Sequence, residues 1–90
     1  VPLSTKHQRT LKALFQTPIP KDLNWRDVKS LLEALGVEIA QGAGSRVTLA
    51  RDGRKGFIHV PHPKHVLLTG HVKDIRRFLV SIGEEPNELH

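Results

Sequence analysis

The sequence predicts an α+β domain in which helices cover one face of a three-stranded antiparallel sheet, with the element order ααβββα. Apolar residues recur with helical spacing near both ends of the chain, which predicts helices there. Between them apolar and polar residues alternate, and an Asp-Gly pair at 52–53 predicts a tight hairpin. Because 90 residues hold one small core, we expect a single domain.

The first two helices are predicted from their apolar stripes and from the residues that bound them. The stripe of the first helix lies within residues 4–16 and consists of Leu11, Leu14 and Phe15. The stripe of the second helix consists of Trp25, Val28, Leu31, Leu32 and Leu35. Asn24 is a typical N-cap for the second helix, and Gly36 is a typical residue to end it.

Three strands follow, each marked by alternation of side chains. Val37 and Ile39 alternate with polar or small residues and predict the first strand. The second strand is expected at Arg46–Arg51 and the third at Lys55–Val60, with Pro61 ending it.

The last helix is expected to have Thr69 as its N-cap and to end at Gly83. Its inward-facing residues are Val72, Ile75, Phe78, Leu79 and Ile82. We therefore divide the chain into an N-terminal helical extension (1–20), a core (21–83) and a loose tail (84–90).

The hairpin also predicts which strand residues are neighbours. A two-residue turn sets Arg46 opposite His59 and Thr48 opposite Phe57, all four on one face of the sheet. The side chains on the other face are then uniformly apolar: Val47, Leu49, Ile58 and Val60. A slip of one residue would mix the two sets, so the apolar pattern supports this register. The face with Arg46 and His59 is expected to be open.

The composition bounds the class of partner. The chain has 14 Lys and Arg against 9 Asp and Glu, a formal net charge of +5, which favours a polyanion such as nucleic acid. It has no cysteine, so it has no thiolate metal site and suits a reducing compartment, for which we expect the cytoplasm. No apolar run has membrane-spanning length, and no membrane partner is expected.

Arg46 and His59 have the chemistry for cleaving RNA through its own 2′-hydroxyl, which requires a general base and a cation but no metal. His62, after the third strand, is a second candidate as an acid or a phosphate contact. The alternative is that these are ordinary surface residues. His59, His62 and His65 recur every third residue, but an extended, proline-flanked segment projects them differently, so we expect no metal site.

Further residues are predicted to contact RNA. Those expected to bind phosphates are Arg51, Arg54 and Lys55 at the hairpin and Lys73, Arg76 and Arg77 on the last helix. Phe57 is placed to stack on a base, and Ser45 belongs to a glycine turn whose backbone N–H groups suit a phosphate. The basic residues also fit a solvated surface, and the glycines a simple turn.

Four features of the sequence are informative when taken together. They are the helix with the leucine stripe, the segment "GVEIAQGAGSRV", the strand closing in "HVPHP" and the helix "GHVKDIRRFLVSIG". Together they resemble the HicA family of bacterial toxins. The resemblance runs from about Trp25 to Gly83. It implies a fold like that of double-stranded-RNA-binding domains, a cytoplasmic ribonuclease acting on mRNA without a cofactor, and inhibition by a HicB-like antitoxin. The family usually has a histidine after Gly-Ser at the start of the second strand, where this chain has Arg46.

That departure leaves two hypotheses. In the first, which we favour, His59 is the base or acid, Arg46 the transition-state clamp and His62 an assisting group of a metal-independent mRNA endoribonuclease. In the second, the domain binds RNA without cutting it. A third class, a protein-interaction module, predicts nucleic-acid affinity that is weak and insensitive to salt. The N-terminal helix lies outside the resemblance and is expected to lengthen the hydrophobic seam or to touch the antitoxin.

Overall fold

A computed structural model describes residues 3–42, 44–60 and 66–84 of the chain. The elements, in order, are α1 (Thr5–Leu14), α2 (Trp25–Ala34), β1 (Glu38–Gln41), β2 (Arg46–Arg51), β3 (Arg54–His59) and α3 (Thr69–Ser81). The strands form one antiparallel sheet in the order β1-β2-β3. The α+β class and the order ααβββα are therefore confirmed. Pro61, predicted to end the third strand, lies outside the described residues.

The first two helices begin at polar caps. The side chain of Ser4 accepts a hydrogen bond from the backbone N–H of His7 (3.1 Å), and that of Asn24 accepts one from Asp27 (2.9 Å). Gly36 follows α2 with a φ of +80°, a conformation that glycine adopts without steric cost. The predicted bounds of α2 are thereby confirmed.

The start of α3 differs from the prediction. Leu68, not Thr69, is the N-cap, and it has no side-chain acceptor. His71, three residues into the helix, instead accepts a hydrogen bond at its Nδ1 from the N–H of Leu68 (3.1 Å), which is the reciprocal bond of a capping box. The expectation that Thr69 caps the helix is therefore wrong.

The hairpin has the predicted register. Arg46 pairs with His59, Thr48 with Phe57, and the connecting residues at 52 and 53 both have positive φ, 51° and 79°. Two positive φ values are typical of the type I′ turn that closes a two-residue hairpin. The four apolar side chains of this ladder, Val47, Leu49, Ile58 and Val60, are at most 4% exposed and face the helices.

The N-terminal helix packs into the same core. The side chain of Leu14 is fully buried, and Arg76 of α3 donates from Nε to the carbonyl of Leu14 and from Nη2 to the carbonyl of Gln16 (2.5 Å). The guanidinium also lies 5.9 Å from the ring centroid of Phe15. Arg76 thus satisfies carbonyls that the end of α1 leaves without helical partners.

No helix in the described part of the chain is long and apolar enough to cross a membrane.

We predict that Arg76→Lys lowers the free energy of unfolding by about 1–3 kcal/mol, because an ammonium cannot donate to both carbonyls in the geometry of a guanidinium. Urea denaturation measures this change. Arg77→Lys is the matched control, since the Arg77 side chain is 82% exposed and lies 3.8 Å from Asp74. Equal stability of the two variants would contradict the anchoring role of Arg76.

We also predict that Gly56→Ala destabilises the fold by about 1–3 kcal/mol through overpacking. A Cβ at position 56 would lie 2.9 Å from Cδ1 of Phe78, which is buried in the core. At Gly70 a Cβ meets nothing within 4 Å, so Gly70→Ala should instead stabilise α3 by up to about 1 kcal/mol. Thermal unfolding of the two variants tests this opposite sign.

Candidate nucleic-acid interface

One face of the sheet is solvent-accessible across the described strands, and we call it the open face. It carries the side chains that alternate with the buried ones: Glu38 and Ala40 from β1, Arg46, Thr48 and Ala50 from β2, and Lys55, Phe57 and His59 from β3. It therefore bears two basic side chains, an imidazole and an aromatic ring beside a single carboxylate. Such a surface attracts anions and offers one apolar contact.

The Arg46 guanidinium carbon lies over the ring of Phe57, 4.6 Å from its centroid. The residue directly opposite Arg46 in the ladder is His59, and Phe57 is two residues from His59 along β3. The Arg46 side chain therefore extends diagonally across the ladder to reach the ring. Phe57 is 51% exposed, and an exposed cation–π contact contributes about 0.5–1 kcal/mol. The stack holds the positive charge close to the sheet surface, on the face that also carries His59.

Arg46 and His59 lie at one end of the sheet, which backbone hydrogen bonds close. The N–H of Val60 donates to the carbonyl of Ser45 (2.9 Å), and the N–H of Gly42 donates to the carbonyl of Arg46 (2.8 Å). Gly44 has a φ of +63°, as a tight turn between strands requires. Ser45, the predicted phosphate contact in the turn, thus lies next to both candidate catalytic residues on a fixed backbone.

Two of the predicted RNA-binding arginines, Arg51 and Arg76, make side-chain hydrogen bonds within the chain. Arg51 points to the helix side of the sheet, where Nη1 lies 2.6 Å from Glu84 and Nε lies 3.2 Å from Asp52. The hydrogen bond with Glu84 is the main cause that raises the pKa of Arg51 above its ordinary value. Arg76 donates to carbonyls at the end of α1. The structure does not bring these two side chains to the open face.

The other predicted phosphate contacts are exposed, but they do not all lie on the open face. Lys55 belongs to it, Arg54 lies at the hairpin with its side chain toward the other face, and Lys73 and Arg77 are on α3. Strand alternation places Arg54 and Lys55 on opposite faces of the sheet, and Lys73 and Arg77 extend the basic surface onto the helix.

The second candidate catalytic histidine, His62, lies outside the described residues, as does His65. Among the residues that the structure describes, no three His, Cys, Asp or Glu side chains are grouped so as to hold a metal ion. The role of His62 and the absence of a metal site therefore stay predictions.

Comparison with known proteins gives one positive finding. The model of a family described as the HicA toxin of bacterial toxin-antitoxin matches residues 25–80, more than half of the chain. The match begins at the first residue of α2 and ends in α3, so α1 lies outside it. No curated protein and no solved structure matches the chain significantly.

We predict that Arg46→Ala and Phe57→Leu are coupled by about 0.5–1 kcal/mol in a double-mutant cycle of unfolding free energies, because each removes the same cation–π contact. The control cycle pairs Arg46→Ala with Lys55→Ala and should be additive. Lys55 is too far away to contact Arg46, because it lies four residues along β3 from His59, the cross-strand partner of Arg46. If the first cycle is additive as well, the guanidinium does not rest on the ring in solution.

Proposed function

The chain belongs to the HicA toxin family, and on that premise we propose that it is a metal-independent endoribonuclease that cleaves mRNA and is inhibited by a HicB-like antitoxin. Membership of a family of toxins from toxin–antitoxin systems supports the toxin role. The observation that carries the nuclease proposal is the open face. On it Arg46 and His59 are opposite each other in the register of β2 and β3, and both are exposed.

In the proposed reaction, His59 acts as general base and removes the proton of a ribose 2′-hydroxyl. The 2′-oxygen then attacks the adjacent phosphorus, and the bond to the 5′-oxygen of the next nucleotide breaks. The leaving oxygen takes a proton from a general acid, a role that we assign to His62. The products are a 2′,3′-cyclic phosphate and a 5′-hydroxyl, and the roles of the two histidines are exchangeable.

Arg46 stabilises the negative charge that develops on the phosphate oxygens in the transition state. An arginine side chain stays protonated in proteins, so it cannot serve as the base that the family's usual histidine suits. The base must then come from another residue, and His59 faces Arg46 across the ladder. The contact with Phe57 supports this division of roles, because it holds the guanidinium in place before substrate arrives.

The open face also suits the proposed antitoxin. Lys55 and Arg46 favour an acidic partner, and the half-exposed ring of Phe57 supplies an apolar anchor of the kind found at protein interfaces. A protein that covers this face would exclude RNA from the proposed catalytic pair.

A second candidate function is RNA binding without cleavage. The observation that favours RNA binding without cleavage is the identity of residue 46. This chain has an arginine where the resemblance leads us to expect a histidine, and the exchange removes a titratable group from the proposed site. The two candidates differ in whether RNA is broken after it is bound.

We predict that induced expression of the chain in bacteria arrests growth with loss of mRNA and that His59→Ala abolishes both effects. With purified protein, His59→Ala should slow RNA cleavage by about 100-fold or more, and Arg46→Ala by a similar factor, as for the loss of a general base or of a charge-stabilising group. His7→Ala, on α1 and away from the open face, is the matched control and should cleave normally.

Soluble protein levels and circular dichroism establish that every variant is folded. If the folded wild type leaves mRNA intact but binds RNA, the binding domain is the correct function. If His59→Ala cleaves as fast as wild type, the open face is not the catalytic site.

A further inference from the structure

A concave surface lies beside the open face, between β3 and α3. It is a groove of about 340 Å³, within the range of roughly 300–1,000 Å³ that is common for small-ligand sites. Its lining side chains are Lys55, Phe57, Asp74, Arg77, Phe78 and Ser81. Of these side chains only Phe57 has a part in the proposed mechanism, through its contact with Arg46.

The groove results from the close approach of α3 to β3. Gly56 has no side chain, and Phe78 therefore packs directly against the strand, where a Cβ would lie only 2.9 Å away. The helix then turns Asp74, Arg77 and Ser81 toward the strand with the spacing of one helical face. Because β3 pairs only with β2 among the described strands, its other edge borders the groove.

The charge of the groove favours an anion. Lys55 and Arg77 stand against the single carboxylate of Asp74, which is 3.8 Å from Arg77 in a solvent-exposed ion pair. Exposed pairs of this kind are weak, so a phosphate can take the place of the carboxylate at little cost. The concave surface at the hairpin has two carboxylates, Glu38 and Asp52, and one of its cations, Arg51, is already paired with Asp52 and Glu84.

Phe57 connects the groove to the open face. Its ring carries the Arg46 guanidinium on the open face and also lines the groove. A strand of RNA that has a phosphate at Arg46 and His59 can therefore pass over the edge of β3 without leaving the protein. Aromatic side chains beside cations are the usual elements of single-strand binding channels.

We propose that the groove between β3 and α3 is a binding subsite for the single-stranded RNA segment next to the scissile phosphate, with Lys55 and Arg77 holding a backbone phosphate and Phe57 contacting a base. The proposal rests on the proposed function, because it takes RNA as the ligand of the open face. It gives Lys55 and Arg77 a role that the exposed cations Arg26 and Lys29 of α2 do not share.

The test is binding of a fully 2′-O-methylated RNA of about twelve nucleotides, a length typical of single-strand sites, measured over a range of salt concentrations. Methylation removes the attacking hydroxyl, so binding is read whether or not the chain cleaves RNA. The groove pair Lys55→Ala/Arg77→Ala is compared with the control pair Arg26→Ala/Lys29→Ala, which removes the same charge from exposed positions on α2.

We expect the groove pair to reduce the slope of log affinity against log salt by roughly 0.7, because the two cations hold the same phosphate and one single-strand phosphate contact contributes about 0.7. The control pair should leave the slope nearly unchanged. Melting temperatures equal to wild type confirm that the exposed substitutions leave the fold intact.

An equal reduction by both pairs overturns the proposal, because the cations would then act only through net charge. An unchanged slope for the groove pair overturns it as well. If the wild type binds this RNA through the groove but cleaves no RNA, the subsite stands and the nuclease proposal fails.

Discussion

The two-residue turn at Asp52 and Gly53 is the constraint on which the rest of the structure depends. By joining β2 and β3 with no extra residue, it determines which side chains of the two strands face the helices and which face solvent. The core needs Val47 and Ile58 on the inside, and the candidate site needs Arg46 and His59 together on the outside. One turn satisfies both requirements, because side chains alternate along each strand.

Features governed by short stretches of sequence were predictable. The helix stripes, the Asn24 cap and the hairpin register all depend on residues a few positions apart, or on pairing that a tight turn dictates, and the structure confirms them. The alternation also placed Phe57 on the open face beside the proposed pair. That the guanidinium of Arg46 covers its ring was not predictable, because strand pairing specifies positions but not side-chain rotamers.

The residues that the sequence misplaced have partners far along the chain. Arg51 pairs with Glu84, 33 residues away, and Arg76 contacts the end of α1 about 60 residues earlier. In the sequence both resemble any other surface cation, and only packing of the helices reveals their partners. Arg76 lies within the span that matches the HicA family, whereas the helix that it holds lies outside that span. The extension is therefore joined to the family core by a residue of that core, and Leu14 completes the same hydrophobic interior.

The separation of the two sheet faces also bears on how such a chain changes during evolution. Position 46 is exposed, and replacing its arginine removes only the cation–π contact with Phe57, which contributes about 0.5–1 kcal/mol. Its neighbour Val47 is buried, and a polar residue there would disrupt the interior. A lineage can therefore exchange the residue at 46, histidine for arginine included, without passing through unfolded ancestors. The scaffold thus allows an exposed position of the ladder to change while the fold is inherited unchanged.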